Sequence, residues 1–129
     1  MNFPFDGSLE ANHKYMVHKL VKSPREILRS LDPLAVNMWH AGTGIATEAG
    51  ELLTSIKKSV IYNQLPDIEN MIEELGDLEF YMEQLRQVLG VTRERCLKVN
   101  MEKLSRRYPE YNYSDKNASE RKDKVNENP

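Results

Sequence analysis

The sequence contains a single cysteine in 129 residues, and this scarcity excludes one class of protein at once. A lone Cys96 cannot form an internal disulfide, so the chain does not resemble a disulfide-stabilised secreted domain. No histidine is spaced to activate Cys96, which is therefore interpreted as a small buried hydrophobic residue. The N-terminus lacks the basic-then-apolar pattern of a signal peptide, and we expect a cytoplasmic protein.

Long apolar runs and an excess of one charge are also missing. The longest stretch without Asp, Glu, Lys or Arg covers residues 33–47, which is too short to span a bilayer. With 18 basic and 20 acidic residues, the chain has a formal net charge of -2 and no broad basic surface. We expect neither a membrane nor a nucleic acid as its partner.

Strand signals are nearly absent, because no segment alternates apolar and polar residues and no Asn-Gly or Asp-Gly turn joins β-branched runs. Helix-capping residues instead precede segments with apolar residues at three- and four-residue steps: Ser8, Ser23, Asp32, Asp67 and Thr92. Ser23 to Glu26 has the form of a capping box with Pro24 at the first helical position. These signals predict an all-α bundle of four to five helices.

The predicted organisation is one domain over residues 1–109 followed by a polar tail over residues 110–129. Residues 1–32 form an N-terminal helical extension, and residues 33–109 carry the longer helices, ending at 62, 89 and 108. The tail is too polar to form a core of its own. We expect it to be either disordered or a strap that orders over a bound ligand.

The helix predicted from Pro33 contains three glycines, Gly42, Gly44 and Gly50. Each costs a helix interior about 1 kcal/mol relative to alanine. Such a cost needs a structural reason, and we expect another helix to approach closely at these positions.

Two pairs of carboxylates are the strongest functional signal: Glu48 and Glu51, then Glu74 and Asp77. Both pairs have i, i+3 spacing inside an apolar-periodic segment, so each lies on one helix face. Burying an ionised carboxylate without a partner costs several kcal/mol. A hard divalent cation such as Mg²⁺, which takes oxygen ligands, is the partner that this pattern favours.

Helical periodicity separates the ligand candidates from a neighbouring acid. Glu48 and Glu51 lie at the edge of the apolar arc of their helix, and Glu74 and Asp77 lie beside the arc of the next one. Glu73 points roughly the opposite way. Glu74 is therefore the predicted ligand and Glu73 a solvated residue.

A polar row on the last predicted helix has the opposite charge. Asn100, Lys103 and Arg107 share a face about 60° wide, whereas Arg106 faces away. Cations beside a metal site suit a metal-chelated phosphate chain. Such rows are also common on solvated helix faces, and that interpretation stays open for the row and for the acidic pairs.

Two other classes of helical protein are alternatives to a metal-bound phosphate site. A di-iron bundle would need Glu-x-x-His pairs, and none of the three histidines follows a glutamate by three residues. A catalytically idle helical interaction protein that keeps the scaffold is the remaining alternative. Trp39 is interpreted as a core or interface residue, with base stacking as the second possibility.

Three segments together resemble one family: residues 44–52, residues 73–78 and residues 100–109, which include N-x-x-K-L-x-x-R-Y-P. Their order and spacing are similar to the MazG-like branch of the all-α NTP pyrophosphohydrolases. The resemblance extends over residues 41–121. The tail, with Ala118, Arg121 and Asp123, is similar to a segment of small, often phage-encoded members, although Tyr113 replaces their usual Phe.

The resemblance implies a function. Members hydrolyse a ribo- or deoxyribonucleoside triphosphate to the monophosphate and pyrophosphate by attack of water at the α-phosphate, using Mg²⁺ or its substitute Mn²⁺. They are helical bundles completed by assembly into a homodimer or homotetramer. A phage-encoded member would work in the cytoplasm of its host.

The resemblance also implies roles by position. Glu48, Glu51, Glu74 and Asp77 would hold the metal, and Glu48 and Glu51 would serve catalysis, with Glu48 orienting or deprotonating the attacking water. The nucleotide would be held by four residues of the last helix: Asn100, Lys103, Arg107 and Tyr108. Arg121 would contact the ligand from the tail. The first 33 residues match no family pattern, so the preferred base stays open.

Overall fold

The computed structural model describes residues 7–124, except for the side chain of Lys122. Its elements in chain order are α1 (Leu9–Leu20), α2 (Pro24–Ser30), α3 (Pro33–Val60), α4 (Ile68–Leu89), α5 (Arg93–Arg107), α6 (Asp115–Glu120) and a 3-10 helix (Lys122–Lys124). Residues 7–124 contain no strand, so the all-α prediction is confirmed. The chain divides into two compact units, residues 1–36 and residues 37–129, which are described separately.

The N-terminal unit contains α1 and α2. Ser8 caps α1, because its Oγ accepts a hydrogen bond from the Ala11 N–H at 3.2 Å. The helix α2 begins at Pro24 as predicted, but the Ser23 side chain makes no capping hydrogen bond. The Glu26 N–H donates to the Ser23 carbonyl oxygen at 3.0 Å instead, so the predicted capping box does not form.

The long helices α3 and α4 are bounded by the residues that the sequence marks. The Asp32 carboxylate accepts from the Ala35 N–H at 2.7 Å, and α3 ends at Val60, two residues earlier than expected. Asp67 caps α4 by accepting from the Asn70 N–H at 3.1 Å. Gly90 ends α4 in the left-handed conformation, with a φ of 65°, which glycine adopts without steric cost.

The helices α3 and α4 run antiparallel and are in close contact at Gly44. A Cβ atom built on Gly44 would overlap the ring of Tyr81 on α4, whereas Gly42 and Gly50 have nothing within 4 Å. The expected close approach is therefore confirmed at Gly44 and wrong at the other two glycines. This contact fixes which residues of α3 lie opposite which residues of α4.

Hydrophobic burial within the single chain is sparse. Ala41 is the one hydrophobic residue of the described part of the chain that is fully buried. Cys96 is exposed, contrary to expectation. Trp39 is 70% exposed and so is not a core residue of this chain, which leaves the interface alternative for it. Large apolar side chains remain exposed on each of the three longest helices: Leu53 and Val60, Ile72 and Phe80, Leu97 and Met101.

The tail is folded as far as residue 124, where disorder was one of two expectations. Ser114 caps α6 by accepting from the Asn117 N–H at 3.1 Å, and the 3-10 helix packs on α5. Disorder was expected because the tail is polar. The tail is held in place by hydrogen bonds between charged groups rather than by apolar burial. Residues 125–129 of the predicted tail lie outside the described residues.

None of the helices within residues 7–124 is long and apolar enough to cross a membrane.

Candidate metal centre

Three of the four predicted carboxylates meet between α3 and α4. Glu48 from α3 and Glu74 and Asp77 from α4 each place one oxygen within 4.8 Å of the other two. Glu74 is 8% exposed, Glu48 is half-buried, and Asp77 is exposed. The cluster is thus open to solvent on the Asp77 side and covered on the Glu74 side.

Glu51 lies next to this cluster but outside it. It lines a cavity of 230 Å³ whose other walls include Glu74. The full lining consists of Glu51, Thr54, Ser55, Lys58, Asn70 and Glu74. The structure therefore places all four predicted carboxylates along the same α3–α4 groove, three as a cluster and Glu51 beside it.

The cluster is electrostatically uncompensated. Partial burial raises the pKa of the Glu48 carboxyl above its ordinary value, and repulsion from Glu51, Asp77 and Glu74 raises that pKa further. Across residues 7–124, no Lys, Arg or His forms an ion pair with any of these carboxylates. A cation that accepts oxygen ligands is the charge that this arrangement lacks.

Four residues of the cavity were not predicted from the sequence: Thr54, Ser55, Lys58 and Asn70. Asn70 donates from Nδ2 to Glu74 Oε1 at 3.1 Å and so fixes one oxygen of the most buried carboxylate. Ser55 is buried, and Lys58 carries the cavity's only positive charge. Their spacing was the available signal, because Asn70 precedes Glu74 by one turn and Lys58 follows Glu51 by two turns.

The opposite end of the groove carries aromatic and amide groups. The His40 and Tyr81 rings meet edge to face with centroids 6.0 Å apart. Gln84 Nε2 approaches His40 Nδ1 at 3.4 Å, and Gln84 Oε1 is buried without a hydrogen-bond partner among residues 7–124. The carboxylates therefore lie between an aromatic end near Gly44 and a polar end near Lys58.

The predicted row on α5 is not joined to the carboxylates. Asn100 is exposed and Lys103 half-buried, and within residues 7–124 neither makes a hydrogen bond or ion pair with the cluster. Arg107 is engaged elsewhere, because its guanidinium binds the Asp123 carboxylate at 2.6 and 2.8 Å. The predicted role of Arg107 in holding the nucleotide therefore stays a prediction, and its contact with Asp123 is an additional one.

The last two predicted contacts lie at the end of α5 and in the tail. Tyr108 follows α5 directly and is half-buried, with its ring centroid 6.0 Å from that of Tyr113. Arg121 is exposed, ends α6 with a φ of 47°, and helps to lower the pKa of Asp123. Both residues therefore belong to the region where the tail meets α5.

Fold and site together define a class: an all-α protein whose E-x-x-E and E-x-x-D pairs face each other across two antiparallel helices and could hold a divalent metal ion. The family model described as the MazG nucleotide pyrophosphohydrolase domain matches residues 41–112, more than half of the chain, and the protein belongs to this family. Comparisons with curated proteins and with solved structures gave no match. The family predicted from the motifs is confirmed.

Proposed function

We propose that this protein is a Mg²⁺-dependent pyrophosphohydrolase that converts a nucleoside or deoxynucleoside triphosphate to the monophosphate and pyrophosphate. The observation that carries the proposal is the cluster of Glu48, Glu74 and Asp77 inside the segment that matches the MazG domain. The alternative of an idle scaffold gives no reason for concentrating uncompensated carboxylates in the groove.

The donor set fits a hard divalent cation. Three carboxylate oxygens lie within 4.8 Å of one another, and Glu51 lies beside Glu74 as a fourth candidate ligand. Mg²⁺ prefers such oxygen ligands, and Mn²⁺ accepts the same set. When bound, the ion would neutralise charge on the phosphate oxygens of the substrate.

Glu48 is the proposed residue for the attacking water. Its pKa is raised above the ordinary value, which makes its carboxylate a stronger base than that of an ordinary glutamate. Glu48 would accept the water proton as the water oxygen attacks the α-phosphorus. The bond from that phosphorus to the bridging oxygen then breaks, and pyrophosphate leaves. Glu51 would assist by orienting the water or by completing the ligand set.

The phosphates and sugar are assigned to residues of α5. Lys103 supplies a cation, and Asn100 and Tyr108 supply neutral hydrogen-bonding groups on the same stretch. Arg107 pairs with Asp123 through two of its five N–H donors, and its place among these ligands stays a prediction. Because nucleoside triphosphates and Mg²⁺ are abundant in the cytoplasm, we place the enzyme there, in the host cytoplasm if a phage encodes it.

Assembly with further copies of the chain is part of the proposal. Ala41 is the one fully buried hydrophobic residue among those described, and side chains such as Phe80 and Met101 are 66% and 70% exposed. Apolar surface on this scale is characteristic of a subunit whose core is completed by association. Assembly into a homodimer or homotetramer would bury these exposed apolar side chains.

The proposal is tested by incubating the purified chain with each of the common NTPs and dNTPs in the presence of Mg²⁺. We expect equimolar pyrophosphate and nucleoside monophosphate, with ¹⁸O from labelled water appearing in the monophosphate, because water attacks the α-phosphorus. The same assay identifies the preferred base. Release of inorganic phosphate, label in pyrophosphate, or no product from any nucleotide would contradict the proposal.

A further inference from the structure

The ion pair between Arg107 and Asp123 joins the end of α5 to the 3-10 helix through two hydrogen bonds. Arg107 Nε donates to Asp123 Oδ1 at 2.6 Å, and Nη2 donates to Oδ2 at 2.8 Å. The Asp123 side chain is fully buried and the Arg107 side chain is 16% exposed. This two-pronged geometry is the strong form of a carboxylate–guanidinium contact.

The contact limits the access of a second anion to Arg107, whose side chain is 16% exposed and has five N–H donors in all. Two of its donors are directed at Asp123, and the guanidinium lowers the pKa of the Asp123 carboxyl to about 2. Asp123 is therefore ionised throughout the neutral range. A phosphate could reach the same donors only by displacing a buried, charged carboxylate, which would then lack its partner.

A second tail contact lies on the adjacent residue. The Tyr113 ring is tilted by 34° over the Tyr108 ring, and the Tyr113 hydroxyl donates to Asp115 at 2.8 Å. The tail thus binds two consecutive residues at the end of α5, Arg107 through charge and Tyr108 through ring contact. Tyr108 and Tyr113 also line one cavity of 290 Å³.

We propose that Asp123 is a positioning residue for nucleotide binding: by clamping Arg107 it holds the tail against the end of α5 and so fixes Tyr108 and Lys103. Arg107 is the anchor of this clamp rather than a phosphate ligand. The nucleotide part of this proposal rests on the function proposed above. The contact between Arg107 and Asp123 does not depend on that function.

A competing assignment makes opposite predictions. In the competing assignment Arg107 binds a phosphate of the nucleotide, and Asp123 only occupies its donors while no nucleotide is bound. Removing the Asp123 charge would then free Arg107 and tighten nucleotide binding. If the pair is a clamp, changing either partner loosens the same segment, and the two changes together add little to either one alone.

The test compares Asp123→Asn, Arg107→Lys and the double variant, with Lys116→Gln as the matched control. Lys116 is an exposed α6 residue outside the clamp. For each clamp variant we expect KM for the nucleotide to rise about tenfold, equivalent to about 1.4 kcal/mol of binding, with a much smaller change in kcat. The double variant should match the worse single variant, Asp123→Glu should restore part of the affinity, and the control should behave as wild type.

Hydrogen exchange without nucleotide or metal tests the clamp independently of activity. Peptides covering residues 110–124 should exchange faster in both single variants, whereas peptides of α3 and α4 should keep their protection, which shows that the fold survives. Unchanged exchange in the tail would overturn the clamp. A KM that rises for Arg107→Lys but stays constant or falls for Asp123→Asn would overturn the positioning role. A wild-type protein without activity would refute the proposed function and the positioning role of Asp123. Hydrogen exchange of residues 110–124 would still test whether the Arg107–Asp123 contact holds the tail.

Discussion

Gly44 is the position at which a single methyl group has the most direct consequence for the site. A Cβ atom there would overlap the Tyr81 ring, while a Cβ atom on Gly42, two residues away in the same helix, would meet nothing within 4 Å. Gly44 lies about one turn from Glu48, and Tyr81 about one turn from Asp77. Pushing the ring away from α3 therefore disturbs the two helices where they carry the carboxylates.

The size of the effect follows from two opposing terms. Replacing glycine by alanine in a helix interior stabilises it by roughly 0.5–1 kcal/mol. Overpacking by an added methyl group costs about 1–3 kcal/mol. Gly42→Ala should therefore stabilise the protein by about 0.5–1 kcal/mol, and Gly44→Ala should range from neutral to about 2.5 kcal/mol destabilising.

Urea unfolding of the two variants measures this difference, and pyrophosphate release measures its effect on the site. We expect lower turnover for Gly44→Ala and wild-type turnover for Gly42→Ala. In a Tyr81→Ala background the overlap is absent, so Gly44→Ala should become stabilising. If Gly44→Ala stabilises the wild-type protein as much as Gly42→Ala does, the close approach of α3 and α4 at this point is refuted.

Further predictions concern charge and assembly. The pKa of Asp123 in the folded protein is about 2, below its ordinary value of 3.8. Its ionised carboxylate therefore stabilises the fold above pH 3.8, and this stabilisation is lost as the pH falls toward 2. Urea unfolding across this range should show the loss in the wild type but not in Asp123→Asn. The folded pKa of Glu48 is raised above 4.5, so the metal-free protein loses stability as the pH rises through that folded pKa. Glu48→Gln should thus stabilise the metal-free protein at neutral pH and not at pH 3, and a destabilised variant at neutral pH would contradict this. Sedimentation should give a multiple of 15.0 kDa, and a monomer at all concentrations would contradict assembly.

Local signals account for most of what the sequence predicted correctly. The α4 boundaries follow from Asp67 as N-cap and Gly90 as C-cap, both of which act within one turn of the helix. The orientation of Glu74 toward the groove and of Glu73 away from it follows from helical periodicity alone. Features determined within a few residues are readable without tertiary information.

The features that were missed depend on distant parts of the chain. The contact of Arg107 with Asp123 was not predicted, because Asp123 lies 16 residues further on in a segment too polar to suggest folding. Apolar stripes predicted a core, yet Leu97 and Met101 on the stripe of α5 are exposed, because periodicity shows which face is apolar and not what covers it. The Asn70–Glu74 hydrogen bond is local to α4, but the cavity that these two residues share with Glu51 depends on the placement of α3 beside α4.

The central claim is that the carboxylates between α3 and α4 bind the metal that supports pyrophosphate release. Glu74 and the adjacent, exposed Glu73 provide the most direct test, because the same substitution can be made inside and outside the cluster. Mg²⁺ at about 100 times its dissociation constant should stabilise the wild type and Glu73→Gln by about 2.7 kcal/mol. The decisive measurement is Mg²⁺-dependent pyrophosphate release by the two variants. We predict that Glu74→Gln loses at least about 100-fold in turnover, because it disrupts a metal-assisted step. Glu73→Gln should have the turnover of the wild type. Equal activity of the two variants would contradict it.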